Sequence, residues 1–276
     1  MSRILVLGGG GVTGIAWHLG VLCGLARAGV TLGDADTIIG TSAGSVVGTL
    51  LAAGVDVETA VAQQREVPAG PARGGGGPGR GGEWLTAMAV LLDPAVPAQE
   101  ARARVGAMAL AAGLDETTYL TRMAELLPVT EWPARDLRIV VVDAADGRDV
   151  VLDSGAGATL LQAVSASCAV PGLMPPVTIG DRRYIDGGVR VGAGADLAAG
   201  AERLVVLAPL AVLSRDRITR EIAAAGAARS LLVEPDDESL TAFGPNVMDA
   251  ARRPASVLAG LRQGEAMAGA VRAVWS

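Results

Sequence analysis

Ser42 is the side chain whose setting most suggests chemistry. It sits in Gly40-Thr41-Ser42-Ala43-Gly44, a Gly-x-Ser-x-Gly pattern between a short apolar run and a helical stretch. Flanking glycines permit a sharp turn that lifts a serine hydroxyl into an open position, and the dipole of the following helix favours negative charge nearby. The chemistry this suits is nucleophilic attack on an acyl carbonyl. The same five residues also suit an ordinary Ser/Gly turn, so the strand before them and the helix after them carry the argument.

Two further glycine-rich sites accompany it. Gly8 to Gly14 follows an apolar run and opens a helical one. Read as an oxyanion hole, it offers the backbone N–H groups of Gly9, Gly10 and Gly11 to an acyl carbonyl, where side chains would obstruct it. Gly9-x-Gly11-x-x-Gly14 also matches the dinucleotide-binding fingerprint. That reading needs an acid at the end of the second strand, whereas Asp34 and Asp36 precede the strand starting at Thr37, and the serine turn follows it. Asp186-Gly187-Gly188 closes a hairpin, and a carboxylate beside two glycines can approach another loop closely; alone it is a common turn. The chain has one histidine, His18, so a Ser-His-Asp triad has a single candidate base. A packed helix-face residue is the expectation for it.

These sites need elements to hold them. Arg3 to Leu7 reads as a buried strand, Ile15 to Ala28 as a helix stopped at Gly29, Thr37 to Ile39 as a second strand, and Ala43 to Ala53 as a second helix. Asp56 is a plausible cap for a third. Ala69 to Gly82, almost wholly Gly, Pro, Ala and Arg, is expected to be mobile, and Glu83 to Leu127 to form a helical cover. Strands follow at Leu137 to Val142 and Val150 to Leu152, then a helix from Ala158 to Ala169. Gly180-Asp181 signals a hairpin between Val177–Ile179 and Arg182–Ile185, which ends on Asp186. Strands at Arg203 to Leu207 and Leu231 to Val233 alternate with helices from Ser214 to Arg229 and from Val247 onward. This alternation predicts one α/β domain, a three-layer α/β/α arrangement around a mainly parallel sheet.

The bulk properties agree with that class. The chain has 276 residues, 50% of them hydrophobic and 19% charged, with a formal net charge of −6. That balance gives no basis for binding nucleic acid, and lipid contact would be apolar and local. Cys23 and Cys168 are expected to be buried free thiols. The apolar run Ile4 to Leu7 is too short for the core of a signal peptide, so the expectation is a soluble, cytoplasmic protein.

Taken in order, the glycine loop, the serine turn and Asp186-Gly187-Gly188 resemble the three blocks of the patatin-like phospholipase family, and Ala163 to Pro176 resembles the segment preceding that family's catalytic aspartate. The resemblance implies a serine acyl-ester hydrolase acting on a lipid ester, with Ser42 as nucleophile, Asp186 as proton acceptor and Gly9 to Gly11 as the oxyanion hole. Gly14, Gly40, Gly44, Gly187 and Gly188 are then motif glycines. It implies no metal or cofactor, and a transient membrane-surface contact. Family members often carry Arg or Lys just before the last glycine of the first block; here that residue is Thr13. A dinucleotide-binding domain and a catalytically silent interaction module are the competing readings.

Overall fold

A computed structural model describes residues 2–66 and 81–276. The fold is mixed α/β with a central, mostly parallel sheet. The described residues fall into two compact units, drawn from Met1–Gly74, Pro133–Leu137 and Gly192–Ser276, and from Gly75–Trp132 and Arg138–Val191.

The first unit contains β1 (Arg3–Leu7), α1 (Gly11–Arg27), β2 (Thr37–Thr41), α2 (Ala43–Ala52) and α3 (Val57–Arg65). Asp56 caps α3 by accepting the Thr59 amide, as its position suggested. The second unit contributes α4 (Gly81–Leu91), α5 (Ala98–Ala111), α6 (Glu116–Leu126), most of β3 (Asp136–Asp143), β4 (Asp149–Leu152), α7 (Leu160–Ser167), β5 (Val177–Ile179) and β6 (Arg182–Asp186). The chain then returns to the first unit with β7 (Arg203–Leu207), α8 (Arg215–Ala225), β8 (Arg229–Val233), α9 (Asp237–Phe243) and α10 (Arg253–Trp275).

In the first unit the strands run in the order β2-β1-β7-β8 and every pair is parallel, with Leu5 opposite both Ile38 and Val205. Ile4 to Leu7 and Leu204 to Leu207 are all buried. Such unbroken apolar runs, rather than alternating ones, are what strands covered on both faces require. α1 lies against α10 almost backbone to backbone. A Cβ added at Gly20 would stand 2.2 Å from the Val257 carbonyl oxygen, one at Gly24 2.1 Å from that of Leu261, and one at Gly264 2.3 Å from that of Val21. Inside this contact the Trp17 indole N–H donates to Ser239 Oγ and Gln263 Oε1, so a buried polar group keeps its partners.

The second unit is antiparallel, in the order β5-β6-β3-β4. α5 is part of its core: Val105 and Ala109 pack with Val142, Ile185 and Val189. The turn between β3 and β4 is clamped to α5, since a Cβ at Gly147 would meet the Gln99 carbonyl oxygen at 2.2 Å and one at Gly106 would meet that of Ala144 at 2.1 Å. Arg102 donates to the Gly147 carbonyl at 2.8 Å and pairs with Asp149 at 3.1 Å, and Asp149 in turn holds Arg190 at 2.9 Å.

Several boundaries differ from the sequence reading. α1 begins four residues before Ile15, because Gly11 takes φ +60° and lets the chain turn directly into the helix. The helix expected up to Arg229 stops at Ala225, where Gly226 adopts φ +67°, and Arg229 already belongs to β8. The helix expected from Val247 starts at Arg253, after a loop and a short 3-10 turn. α9 was not anticipated; Asp236 caps it by accepting the Ser239 amide. Cys23 is buried but Cys168 is partly exposed, and both are free thiols. Residues 69–80 of the segment expected to be mobile lie outside the described residues, while Gly81 and Gly82 open α4. Among the described residues no helix is long and apolar enough to cross a membrane.

Candidate active site

β2 delivers Ser42 and α2 receives it. Ser42 is the N-cap of α2, with φ 52° and ψ −117°, a conformation that costs a non-glycine residue roughly 1–3 kcal/mol. Its carbonyl accepts the Ser45 amide at 2.8 Å and the Ser45 hydroxyl at 2.7 Å, so the first turn of the helix closes tightly behind the serine. The two flanking glycines are steric requirements. A Cβ at Gly44 would lie 1.9 Å from the Leu7 carbonyl oxygen, and one at Gly40 would lie 2.6 Å from that of Gly44. Glycine at position 44 lets the turn pack against the end of β1, and glycine at position 40 lets it close onto the first turn of α2.

The end of β1 leads straight into the glycine loop. A Cβ at Gly9 would lie 3.6 Å from Ser42 Cβ, which places the loop beside the serine. The Gly8 amide donates to the Leu207 carbonyl at 2.9 Å, the Gly14 amide to that of Gly10 at 2.9 Å, and the Thr13 amide to that of Val247 at 3.0 Å. Gly9, Gly10 and Gly11 lie between these bonded amides, at and just before the first turn of α1, where N–H groups have no acceptor within the helix. Gly10 and Gly14 are close against Pro209: a Cβ at Gly10 would stand 2.7 Å from the proline Cβ.

His18 is packed inside this unit. Its ring is fully buried, and Nε2 lies 3.2 Å from the Leu207 carbonyl oxygen. Burial pushes its pKa down to about 4, against the opposing effect of that hydrogen bond. The consequence for stability has a definite sign. Above pH 6.5 the ring is neutral in the folded and unfolded chains and its contribution is complete. Between pH 6.5 and about 4 only the unfolded chain takes up the proton, so folding loses about 3 kcal/mol across that window. Urea melts of the wild type and His18→Gln from pH 7 to 4 should show a clearly shallower decline in the variant. Identical slopes would assign the loss to carboxylates instead.

In the second unit, Asp186 is the last residue of β6, paired with Val141 of β3, and is 4% exposed. Its amide donates to the Ala169 carbonyl at 3.1 Å, so the turn that follows α7 fixes its backbone. Its Oδ1 accepts the Gly188 amide at 2.7 Å, which orients the carboxylate across the short turn Gly187–Arg190. A Cβ at Gly188 would come within 3.0 Å of that oxygen, which explains the second glycine after the aspartate. Sequence reasoning missed Tyr119, a buried residue of α6 that donates to the Ser165 carbonyl at 2.9 Å. Its hydroxyl resists ionisation, first through burial and then through the negative charges of Cys168 and Asp186. Pro209, Val247 and Met248, which line the glycine loop, gave no signal in the sequence either.

The dinucleotide reading meets an obstacle in Asp34, whose carboxylate is held by Arg3 at 2.6 Å and by the Trp275 indole at 2.8 Å. Among the described residues no cluster of three or more His, Cys, Asp or Glu side chains is arranged to hold a metal ion.

The family described as Patatin-like phospholipase matches residues 5–199. Two curated proteins, each described as an uncharacterized NTE family protein, from Mycobacterium bovis and Mycobacterium tuberculosis strain H37Rv, are each 32% identical to the chain over 188 residues, covering 67% of this chain and 26% of theirs. The chain thus spans about a quarter of the length of these relatives. Among solved structures, VipD from Legionella pneumophila aligns with a TM-score of 0.49 and 15% identity, over 98% of this chain and 67% of that one. The type III effector protein ExoU aligns with a TM-score of 0.40 and 20% identity, over 96% and 53%.

Proposed function

This chain belongs to the patatin-like phospholipase family, and we propose that it hydrolyses lipid acyl esters through a Ser42–Asp186 dyad. The observation that carries the proposal is the strained Ser42 turn at the head of α2, with the glycine loop alongside. The turn holds a non-glycine residue at a strained positive φ, and backbone strain of this kind concentrates where a side chain must be presented for chemistry.

In the proposed cycle Asp186 accepts the Ser42 proton as the hydroxyl oxygen attacks the ester carbonyl. The amides of Gly9, Gly10 and Gly11 hold the negative charge of the tetrahedral intermediate. The alcohol leaves with the proton from Asp186 and an acyl group remains on Ser42. Water then gives a proton to Asp186 and attacks the acyl carbonyl, and Asp186 returns that proton to the Ser42 oxygen as the carboxylic acid leaves. No metal or cofactor has a step in this cycle. Leu85, Leu92 and Leu126 are exposed apolar side chains, at 70%, 54% and 74%.

A fluorophosphonate probe tests the assignment directly. Intact mass should increase by one phosphonyl adduct, and peptide mapping should place it on Ser42. An adduct on another serine, or none at all in folded protein, would overturn the nucleophile and favour the silent-module reading.

A further inference from the structure

The sequence reading left Thr13 unexplained, and the structure gives it a task. Thr13 is fully buried, and both its amide and its hydroxyl donate to the Val247 carbonyl, at 3.0 and 3.3 Å. One threonine in the glycine loop therefore fastens a segment 234 residues away in sequence. Within that segment, residues 244–249, Val247 and Met248 lie directly on the loop. The space that a side chain at Gly11 would take is filled by the Val247 carbonyl oxygen at 2.8 Å, Met248 Sδ at 2.9 Å and Val247 Cγ2 at 3.1 Å.

The segment is a built feature. Gly244 begins it at φ 66° and ψ −168°, a backbone conformation essentially restricted to glycine. Asn246 braces its middle, with its side chain accepting the Met248 amide at 3.0 Å and its carbonyl accepting the Asp249 amide at 3.0 Å. Val247 and Met248 keep part of their surface exposed. The glycine loop is thus flanked at Gly9 by Ser42 and at Gly11 by Met248, and two residues of chain span no more than about 7 Å.

From this contact, and resting on the hydrolase reading above, we propose that residues 244–249 form one wall of the ester-binding site, and that Val247 and Met248 make it select uncharged esters over esters bearing a phosphate. The chemistry of the wall carries this. Next to Gly11 it presents an isopropyl group, a thioether and a carbonyl oxygen, none of which can donate a hydrogen bond. Thr13, the polar side chain nearest in sequence, has its hydroxyl committed to that same carbonyl. Asp249 ends the segment, and the Arg252 guanidinium lies against Gly244 at its other end. Against Val247 and Met248 a phosphate loses water and gains no donor from either side chain, which is costly for a charged group. An uncharged glyceryl or alkyl ester gains apolar contact with Met248 instead.

The test compares kcat/KM for 1-octanoylglycerol and 1-octanoylglycerol 3-phosphate, both monomeric and sharing one acyl chain, in the wild type, Met248→Ala and Met248→Lys. The wild type should prefer the uncharged ester by about tenfold or more. Met248→Lys should narrow that preference by about tenfold, with the gain fading at high salt as the new charge is screened. Met248→Ala should raise KM for 1-octanoylglycerol severalfold and leave kcat close to that of the wild type. Equal wild-type rates on the two esters, or an unchanged ratio in folded Met248→Lys together with an unchanged KM in Met248→Ala, would overturn the wall. Failure of the wild type both to hydrolyse either ester and to react with the fluorophosphonate would overturn the hydrolase reading itself, and this proposal with it.

Discussion

Ser42→Ala should lower ester hydrolysis by at least about a thousandfold and abolish fluorophosphonate labelling, with circular dichroism and melting temperature close to those of the wild type. Removing a nucleophile usually leaves only the modest rate enhancement that binding and the oxyanion site provide. The fold should survive because the turn is held by the Ser42 carbonyl and by the closeness of Gly40 and Gly44 to their neighbours, none of which involves the serine hydroxyl. A companion variant sharpens the test. Alanine at φ 52° retains the strain of serine, whereas glycine takes that conformation freely. Ser42→Gly should therefore be as inactive as Ser42→Ala yet more stable than it. The difference is expected to be roughly 1 kcal/mol, the lower end of the cost of such a conformation. A gain in stability tied to total loss of activity would identify the strain as a feature kept for chemistry. Ester hydrolysis by Ser42→Ala at the wild-type rate would remove Ser42 from the mechanism.

The serine turn was legible because its determinants are local. Gly40, Ser42 and Gly44 lie within five residues, and the parallel strands on either side of the glycine loop are continuous apolar runs with one structural interpretation. Asp186 was legible for a similar reason, since the Gly180-Asp181 turn fixes a hairpin whose second strand ends on it. Elements that depend on distant partners were not. The start of α1 at Gly11 runs against the poor helix propensity of glycine, and the contact with Val247 and Met248 that accompanies it arises more than two hundred residues later. The sequence from Val247 onward reads as helical, but Thr13 captures the Val247 carbonyl and α10 begins six residues further on. Gly20, Gly24, Gly260 and Gly264 look like helix weaknesses in isolation. Their purpose appears only when α1 and α10 are brought together.

Asp186→Asn should reduce kcat by about a hundredfold or more, while His18→Gln should retain most of the wild-type activity at pH 7 and above. The two substitutions separate a carboxylate base from an imidazole base in a chain that has only one histidine. Asparagine is nearly isosteric with aspartate and its side-chain oxygen can still accept the Gly188 amide, so the turn Gly187–Arg190 keeps its orientation while the capacity to take a proton disappears. The expected loss is then that of proton transfer in the transition state, typically worth two to four orders of magnitude. His18 has a different environment. It is fully buried, its Nε2 is engaged with the Leu207 carbonyl, and its pKa near 4 makes it a poor acceptor at neutral pH. Glutamine can donate to the same carbonyl from its own amide, which preserves the link between α1 and the end of β7. Rates should be compared on a soluble short-chain ester at matched pH, with melting curves confirming that each variant is folded. An inactive His18→Gln beside an active Asp186→Asn would replace the dyad with a histidine base and remove Asp186 from the proton transfer.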